Sequence, residues 1–161
     1  MKIPYQIRRA EESQTFESCA GFMCQTEPWT RYGLSFADCR KAFEDEGREV
    51  YVLETHERIQ GFAILQLHGS FKGYIQSLCV RPEFRGQGAG TQLLQFAEAR
   101  IRKISPNVFI CVSDFNTEAA RLYFRYGFKK IGELTDFLRP GIAEWLLRKS
   151  AGPTIGYQPP V

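Results

Sequence analysis

Leu78-Cys79-Val80-Arg81-Pro82-Glu83-Phe84-Arg85-Gly86-Gln87-Gly88-Ala89-Gly90-Thr91 is the stretch on which the fold of this chain turns. Tyr74 to Val80 reads as a strand. Pro82 and the glycines then break it. From Thr91 to Ile104 apolar residues recur at helical spacing, at Leu93, Leu94, Ala97, Ile101 and Ile104. A strand therefore runs through a glycine-rich turn into an amphipathic helix. Small residues let successive backbone N–H groups converge, and the helix N-terminus adds partial positive charge, so the turn is an anion site. Arg85 can add charge-assisted hydrogen bonds to a phosphate.

Two common phosphate fingerprints fail here. The mononucleotide loop needs Gly-x-x-x-x-Gly-Lys-Ser/Thr, and no such string occurs. The dinucleotide pattern needs Gly-x-Gly-x-x-Gly. Gly86-x-Gly88 is followed by Thr91, and Gly88-x-Gly90 by Leu93, so both frames miss.

Upstream of the turn, the sequence predicts a strand over Tyr5–Arg9 and a helix over Glu11–Met23. A loop follows through Pro28, Trp29, Tyr32 and Gly33, then a second helix over Ser35–Glu46 stopped by Gly47. The period changes to two in Glu49–Glu54 and Gly61–Leu67, which flank a polar turn at His56-Glu57-Arg58 and form a hairpin. Downstream come a strand over Asn107–Val112, a helix over Asn116–Tyr126 stopped by Gly127, and two closing strands over Phe128–Leu138 and Ala143–Arg148. The chain reads as one mixed α/β domain over residues 1–150 with a loose tail over 151–161, three prolines and two glycines among its residues.

Composition narrows the function. The chain has 161 residues, 43% hydrophobic and 24% charged, with 13 Phe and 7 Tyr, enough for one well-filled core. A net charge of +3 suits an anionic ligand better than nucleic acid, which calls for a dense basic stripe. Neither an apolar leader at Met1-Lys2-Ile3-Pro4-Tyr5 nor a membrane-length apolar run is present, so a cytoplasmic protein away from membranes is expected. Cys19, Cys24, Cys39, Cys79 and Cys111 include no Cys-x-x-Cys pair, and only His56 and His68 could join them. The expectation is reduced, mostly buried thiols and no metal.

Arg85-x-x-Gly88-x-Gly90 resembles the Arg/Gln-x-x-Gly-x-Gly/Ala signature of the GNAT superfamily of acyl-CoA-dependent N-acyltransferases. Leu78-Cys79-Val80-x-Pro82 is similar to the end of that family's fourth strand. About 25 residues downstream, Asn116-Thr-Glu-Ala-Ala-Arg-Leu-Tyr123-Phe-Arg-Tyr-Gly127-Phe128 resembles its Asn-x-x-Ala-x-x-x-Tyr-x-x-x-Gly-Phe helix. The resemblance spans roughly residues 3 to 149. It implies a mostly antiparallel central sheet flanked by helices, with fourth and fifth strands splayed apart, and acetyl-CoA as cosubstrate. It further implies that the backbone of Arg85, Gly86, Gln87, Gly88, Ala89, Gly90 and Thr91 cradles the pyrophosphate. The pantetheine arm would then pair with strand backbone around Leu78, Cys79 and Val80 and touch Asn116, which is also a good helix N-cap.

Acetyl transfer to an amine requires a neutral amine, a stabilised oxyanion and a proton for the departing thiolate. By the resemblance, a backbone N–H near Leu78 serves the oxyanion, and Tyr123 is the proton donor. Gln76 and Cys111 stand where some relatives carry a glutamate, and neither is a base. Asp114 reads first as a loop or capping aspartate and second as a base acting through a water, while Glu27 and Asp136 qualify as bases only if their loops fold over the acceptor. Acceptor residues are expected in two loops, at Glu27, Trp29 and Tyr32 and at Asp136 and Phe137. The sequence thus predicts an N-acetyltransferase for a protein N-terminus, a lysine or a small-molecule amine. The alternative is a non-catalytic acetyl-CoA-binding regulatory module. The last strand and tail also allow a homodimer.

Overall fold

The computed structural model describes residues 4–56 and 58–161. Met1–Ile3 and Glu57, a member of the expected His56-Glu57-Arg58 turn, lie outside the described residues. In chain order the elements are β1 (Gln6–Ala10), α1 (Ser13–Met23), α2 (Phe36–Lys41), β2 (Arg48–Thr55), β3 (Arg58–Gln66) and β4 (Tyr74–Val80). After a 3-10 turn at Pro82–Phe84 come α3 (Ala89–Arg102), β5 (Asn107–Ser113), α4 (Thr117–Tyr126), β6 (Lys129–Leu134) and β7 (Glu144–Ser150).

Seven strands form one sheet in the order β1-β2-β3-β4-β5-β7-β6. Every pairing is antiparallel except β4 with β5. The two-residue alternation of β2 and β3 explains the layers. Tyr51, Leu53, Ala63 and Leu65 face one way and bury against Leu93, Leu94, Ala97 and Ile101 of α3. Val50, Val52, Phe62 and Ile64 face the other way and bury against Cys19, Ala20 and Met23 of α1 and Cys39 of α2. The sheet is thus the middle of three layers, and the mostly antiparallel sheet with one parallel junction matches the expected fold.

Two elements are shorter than predicted. The second helix stops at Lys41 rather than Glu46. A reciprocal Ser35–Asp38 capping box starts it, but Glu44, Asp45 and Glu46 would place three carboxylates at its negative end. Arg48 instead donates to the Ala42 carbonyl at 2.8 Å and pairs with Asp45 at 2.9 Å, closing the chain into β2. The sixth strand stops at Leu134. Asp136 then takes a positive φ of 53°, and its carboxylate accepts the Gly141 N–H at 2.7 Å, folding Thr135–Gly141 into its own turn.

Residues 151–161 carry no helix or strand. They are tied to the body at three places. Ala151 N–H donates to the Pro106 carbonyl at 2.9 Å, Asn107 to the Thr154 hydroxyl at 3.2 Å, and the Tyr157 hydroxyl to the Arg102 carbonyl at 2.6 Å. Among the described residues no helix is long and apolar enough to cross a membrane, and no group of three metal-binding side chains gathers. All five cysteines are free. Burial pushes the Cys19 and Cys79 thiols up to about 12, so they pack as inert side chains.

Candidate active site

A β-bulge on β4 opens the site. Ile64 of β3 pairs with Ser77 and Leu65 pairs with Ile75, which leaves Gln76 without a ladder partner on β3, although its side chain accepts from Gln66 at 3.0 Å. The extra residue bends the strand and flips its alternation. Ile75 before it, and Leu78 and Val80 after it, all join the α3 side of the sheet, while Cys79 joins the α1 side. β4 and β5 consequently pair at two positions only, Tyr74 with Phe109 and Ile75 with Ile110. Beyond Ile75 and Ile110 the strands part. A cavity of about 860 Å³ fills the opening and runs from the glycine turn through the gap to the loop before α2.

At one end of the cavity lies the turn. Gly86 and Gly88 adopt φ values of +70° and +92°, and the space where a side chain would begin is empty at both. No backbone N–H from Gly86 to Thr91 donates to another described residue; the first helical bond runs from Gln92 to Gly88. A run of unpartnered amides at the start of a fourteen-residue helix is the donor array that a pyrophosphate needs. Arg85 stands beside it, its Nε held on the Val80 carbonyl at 3.2 Å. Gly90 serves packing as well, since a β-carbon there would lie 3.0 Å from Leu122 of α4. Arg85, Gly86, Gly88, Gly90 and Thr91 line the cavity, whereas Gln87 and Ala89 do not. Gln87 turns back to the Glu83 carbonyl, and Ala89 is buried beneath the helix.

In the middle of the cavity, Leu78, Cys79 and Val80 face the gap from β4, with Asn116 and Tyr123 reaching it from α4. Asn116 caps α4, its side-chain oxygen accepting the Ala119 N–H at 3.4 Å. Gly127 ends that helix at φ +114°, with the N–H groups of Gly127 and Phe128 returning to the Tyr123 carbonyl. The helix is therefore held at both ends, and Tyr123 sits rigidly against Phe128. Its hydroxyl has no protein partner among the described residues, yet it is not a sealed, unpaired atom. It opens on the cavity. Burial, with Cys79 and Glu144 adding, pushes this hydroxyl well above the ordinary tyrosine range, so it stays protonated at any working pH.

At the far end, Glu27, Trp29, Tyr32 and Phe137 line the mouth. Glu27 is paired with Arg31 at 3.1 Å and is half exposed. Asp136 is not brought to the cavity, because its carboxylate is spent on Gly141. Asp114 caps no helix, since Asn116 caps α4; its carboxylate accepts the Ala143 N–H at 3.3 Å, just before β7. Gln76 and Cys111 line the cavity as the sequence placed them. The reading missed Ser113 and Glu144. These two face each other across the β5–β7 ladder, and both reach the hydroxyl of Tyr32. A glutamate directly before the apolar run Trp145-Leu146-Leu147 of β7 was the available signal.

Comparison with known proteins gives a consistent picture. The model of the acetyltransferase (GNAT) domain matches residues 46–130. The acetyltransferase Atu2258 of Agrobacterium fabrum is 37% identical over 76 residues, 47% of this chain and 55% of that protein. The match thus spans about half the length of that curated relative. Among solved structures, a GNAT-family protein from Desulfovibrio desulfuricans superposes with a TM-score of 0.78 at 17% identity, covering 92% of this chain and all of its own. The ribosomal-protein-S18-alanine N-acetyltransferase from Escherichia coli gives 0.72 at 16% identity, covering 93% of this chain and 96% of its own. An aminoglycoside 6'-N-acetyltransferase solved with coenzyme A gives 0.73 at 15% identity, over 92% and 98%. At these identities the structures speak for the fold.

Proposed function

Because the chain belongs to the acetyltransferase (GNAT) domain family, we propose that it moves an acetyl group from acetyl-CoA to a primary amine, by direct attack within a ternary complex. The observation that carries this reading is the continuity of one cavity from the Gly86–Thr91 amides, past the β4–β5 gap, to the Tyr32 loop. Anion, thioester and amine thus have places in line.

Each chemical need has a group beside it. The Gly86–Thr91 amides and Arg85 hold the pyrophosphate. The backbone of Leu78 and Val80, freed from β5 by the bulge, pairs with the pantetheine amides, and the Leu78 N–H faces the developing oxyanion. The amine lone pair forms the C–N bond, the C–S bond breaks, the hydroxyl of Tyr123 gives its proton to the sulfur, and the proton shed by the nitrogen returns through water to the Tyr123 oxygen. Trp29, Tyr32 and Phe137 surround the acceptor.

The test is thiol release from acetyl-CoA with a panel of α-amines, alkylamines and peptides. Turnover with at least one amine, with intersecting double-reciprocal lines and no acetylated protein when the amine is omitted, is the expected result. Acetyl-CoA binding without turnover on any amine overturns the reading in favour of a regulatory module.

A further inference from the structure

Four carboxylates line the cavity: Glu27, Asp38, Glu118 and Glu144. Glu27 is neutralised by Arg31, Asp38 is spent in the α2 capping box, and Glu118 lies exposed on the first turn of α4. Glu144 differs from all three. It is 5% exposed, and no ion pair of the described residues includes it. Its surroundings supply hydroxyls instead. Ser113 donates to Oε1 at 2.6 Å, and the Tyr32 hydroxyl donates to the same oxygen. The two hydroxyls lie 2.8 Å apart and carry two protons between them, so the triad is a closed set anchored on Oε1.

Oε2 is left over. No described residue donates to it, yet it is not a sealed unpaired atom, so it opens on the cavity that Glu144 lines. A buried carboxylate with hydroxyls on one oxygen and no counter-ion is costly unless a cation completes it. The acceptor of the proposed reaction arrives as such a cation. Burial and the Glu144 hydrogen bond push the Tyr32 hydroxyl well above the ordinary tyrosine range, so Tyr32 stays a donor and does not compete for the proton. β7 and β5 fix the pair through the Ser113–Glu144 rung, and the loop before α2 brings Tyr32 to it.

We infer that Glu144 is the catalytic base, its Oε2 receiving the acceptor ammonium and taking its proton, with Ser113 and Tyr32 as positioning residues that aim it. The assignment rests on the acetyltransferase reading above. Two protons leave the nitrogen. The first passes from R–NH3+ to Oε2 before attack and on to solvent. The second leaves as the C–S bond breaks and returns through water to the Tyr123 oxygen, which has given its own proton to the sulfur. The products are the N-acetyl amine and coenzyme A thiol.

The experiment compares Glu144→Gln with the wild type on two acceptors, an alkylamine of pKa about 10.4 and an α-amine of about 7.8. Glutamine keeps the volume and the Oε1 acceptor while deleting the charge. The ratio of wild-type to variant rate cancels the intrinsic nucleophilicity of each amine. With the alkylamine, kcat/KM falls on the order of 100- to 10,000-fold. With the α-amine, more of which is already neutral, the loss is at least tenfold smaller. Acetyl-CoA affinity stays at the wild-type value and Tm does not fall. Equal losses on both amines, or none, overturn the assignment while leaving the acetyltransferase reading intact. A wild type that releases no thiol with any amine overturns that reading, and this assignment with it. Should Glu144→Gln not fold, Glu144→Asp, which keeps the charge but withdraws it by one methylene, is read in the same assay. A lowered kcat at unchanged acetyl-CoA affinity supports the base, and an unchanged kcat overturns it.

Discussion

Ile75 of β4 and Ile110 of β5 are the last pair through which these two strands meet, and the gap that the cavity fills opens beyond that pair. The bulge at Gln76 ends the pairing, so backbone groups of β4 that an ordinary sheet would satisfy are left for a ligand. Hydrogen exchange reads this directly. With acetyl-CoA bound, amides in 76–81 and 85–91 should gain protection, while amides of β1 and β2, at the far edge of the sheet, should not change. Protection spread evenly over the molecule would mean global tightening rather than strand addition.

Ligand choice is read from stability. At a hundredfold excess over its Kd, acetyl-CoA should stabilise the fold by about 2.7 kcal/mol. In a domain of this size that raises Tm by about 5–11 °C. NAD and ATP, whose glycine fingerprints the turn lacks, should do far less at the same concentration. A thermal scan with that order reversed would be fatal to the coenzyme reading.

The turn itself is tested with Asp. At Gly88, φ is +92°, a region that aspartate tolerates and valine does not, so Gly88→Asp should cost the fold only about 1 kcal/mol. Its carboxylate would sit among the free amides and meet the pyrophosphate as a like charge, which costs several kcal/mol. Acetyl-CoA binding by calorimetry should fall at least about 100-fold. Arg85→Ala should weaken it by about 1.5–3 kcal/mol, the range for hydrogen bonds to charged groups.

Stability has its own pH signature in Glu49, which joins β2 to α3. Burial alone would raise its carboxyl, but Arg100 donates to both oxygens at 2.8 Å and Tyr51 adds a third hydrogen bond, so the net shift is downward. A lowered folded pKa gives stability that is present above the unfolded carboxyl value and lost as pH falls through the folded one. Glu49→Gln should therefore cost about 1–2 kcal/mol at pH 7, the low end because Arg100 remains 26% exposed. In urea titrations at successively lower pH the difference should shrink toward zero as pH falls through the folded carboxyl's own pKa, below the ordinary glutamate range.

The legible parts of this fold were those written locally. The turn, α4 with its Asn116 and Gly127 ends, and the β2–β3 hairpin each carry their signal within about a dozen residues. The Gln76 bulge leaves no such trace, because an extra residue in a strand changes register and not composition. Tyr32, Ser113 and Glu144 meet only after three distant segments pack, the widest separation being 112 residues. Asp136 was read toward the acceptor because of its loop, but a short polar side chain at positive φ satisfies its own turn first.

Tyr123 gives the sharpest separation of chemistry from packing. Its ring is buried against Phe128, while its hydroxyl has no partner among the described residues and opens on the cavity. Tyr123→Phe keeps the ring and removes a group that makes no hydrogen bond with the described residues, so Tm should stay level or rise slightly. A coenzyme A thiolate, like a cysteine thiolate of pKa near 8.5, leaves tolerably unaided. The hydroxyl, pushed up by burial, is a weak acid that donates only as charge grows on sulfur. Its share should therefore be moderate, a fall in kcat on the order of a hundredfold with acetyl-CoA affinity unchanged. A loss confined to kcat marks an interaction made in the transition state rather than in binding. If kcat holds in Tyr123→Phe while chemistry limits the rate, Tyr123 is a core aromatic and the thiolate takes its proton from water.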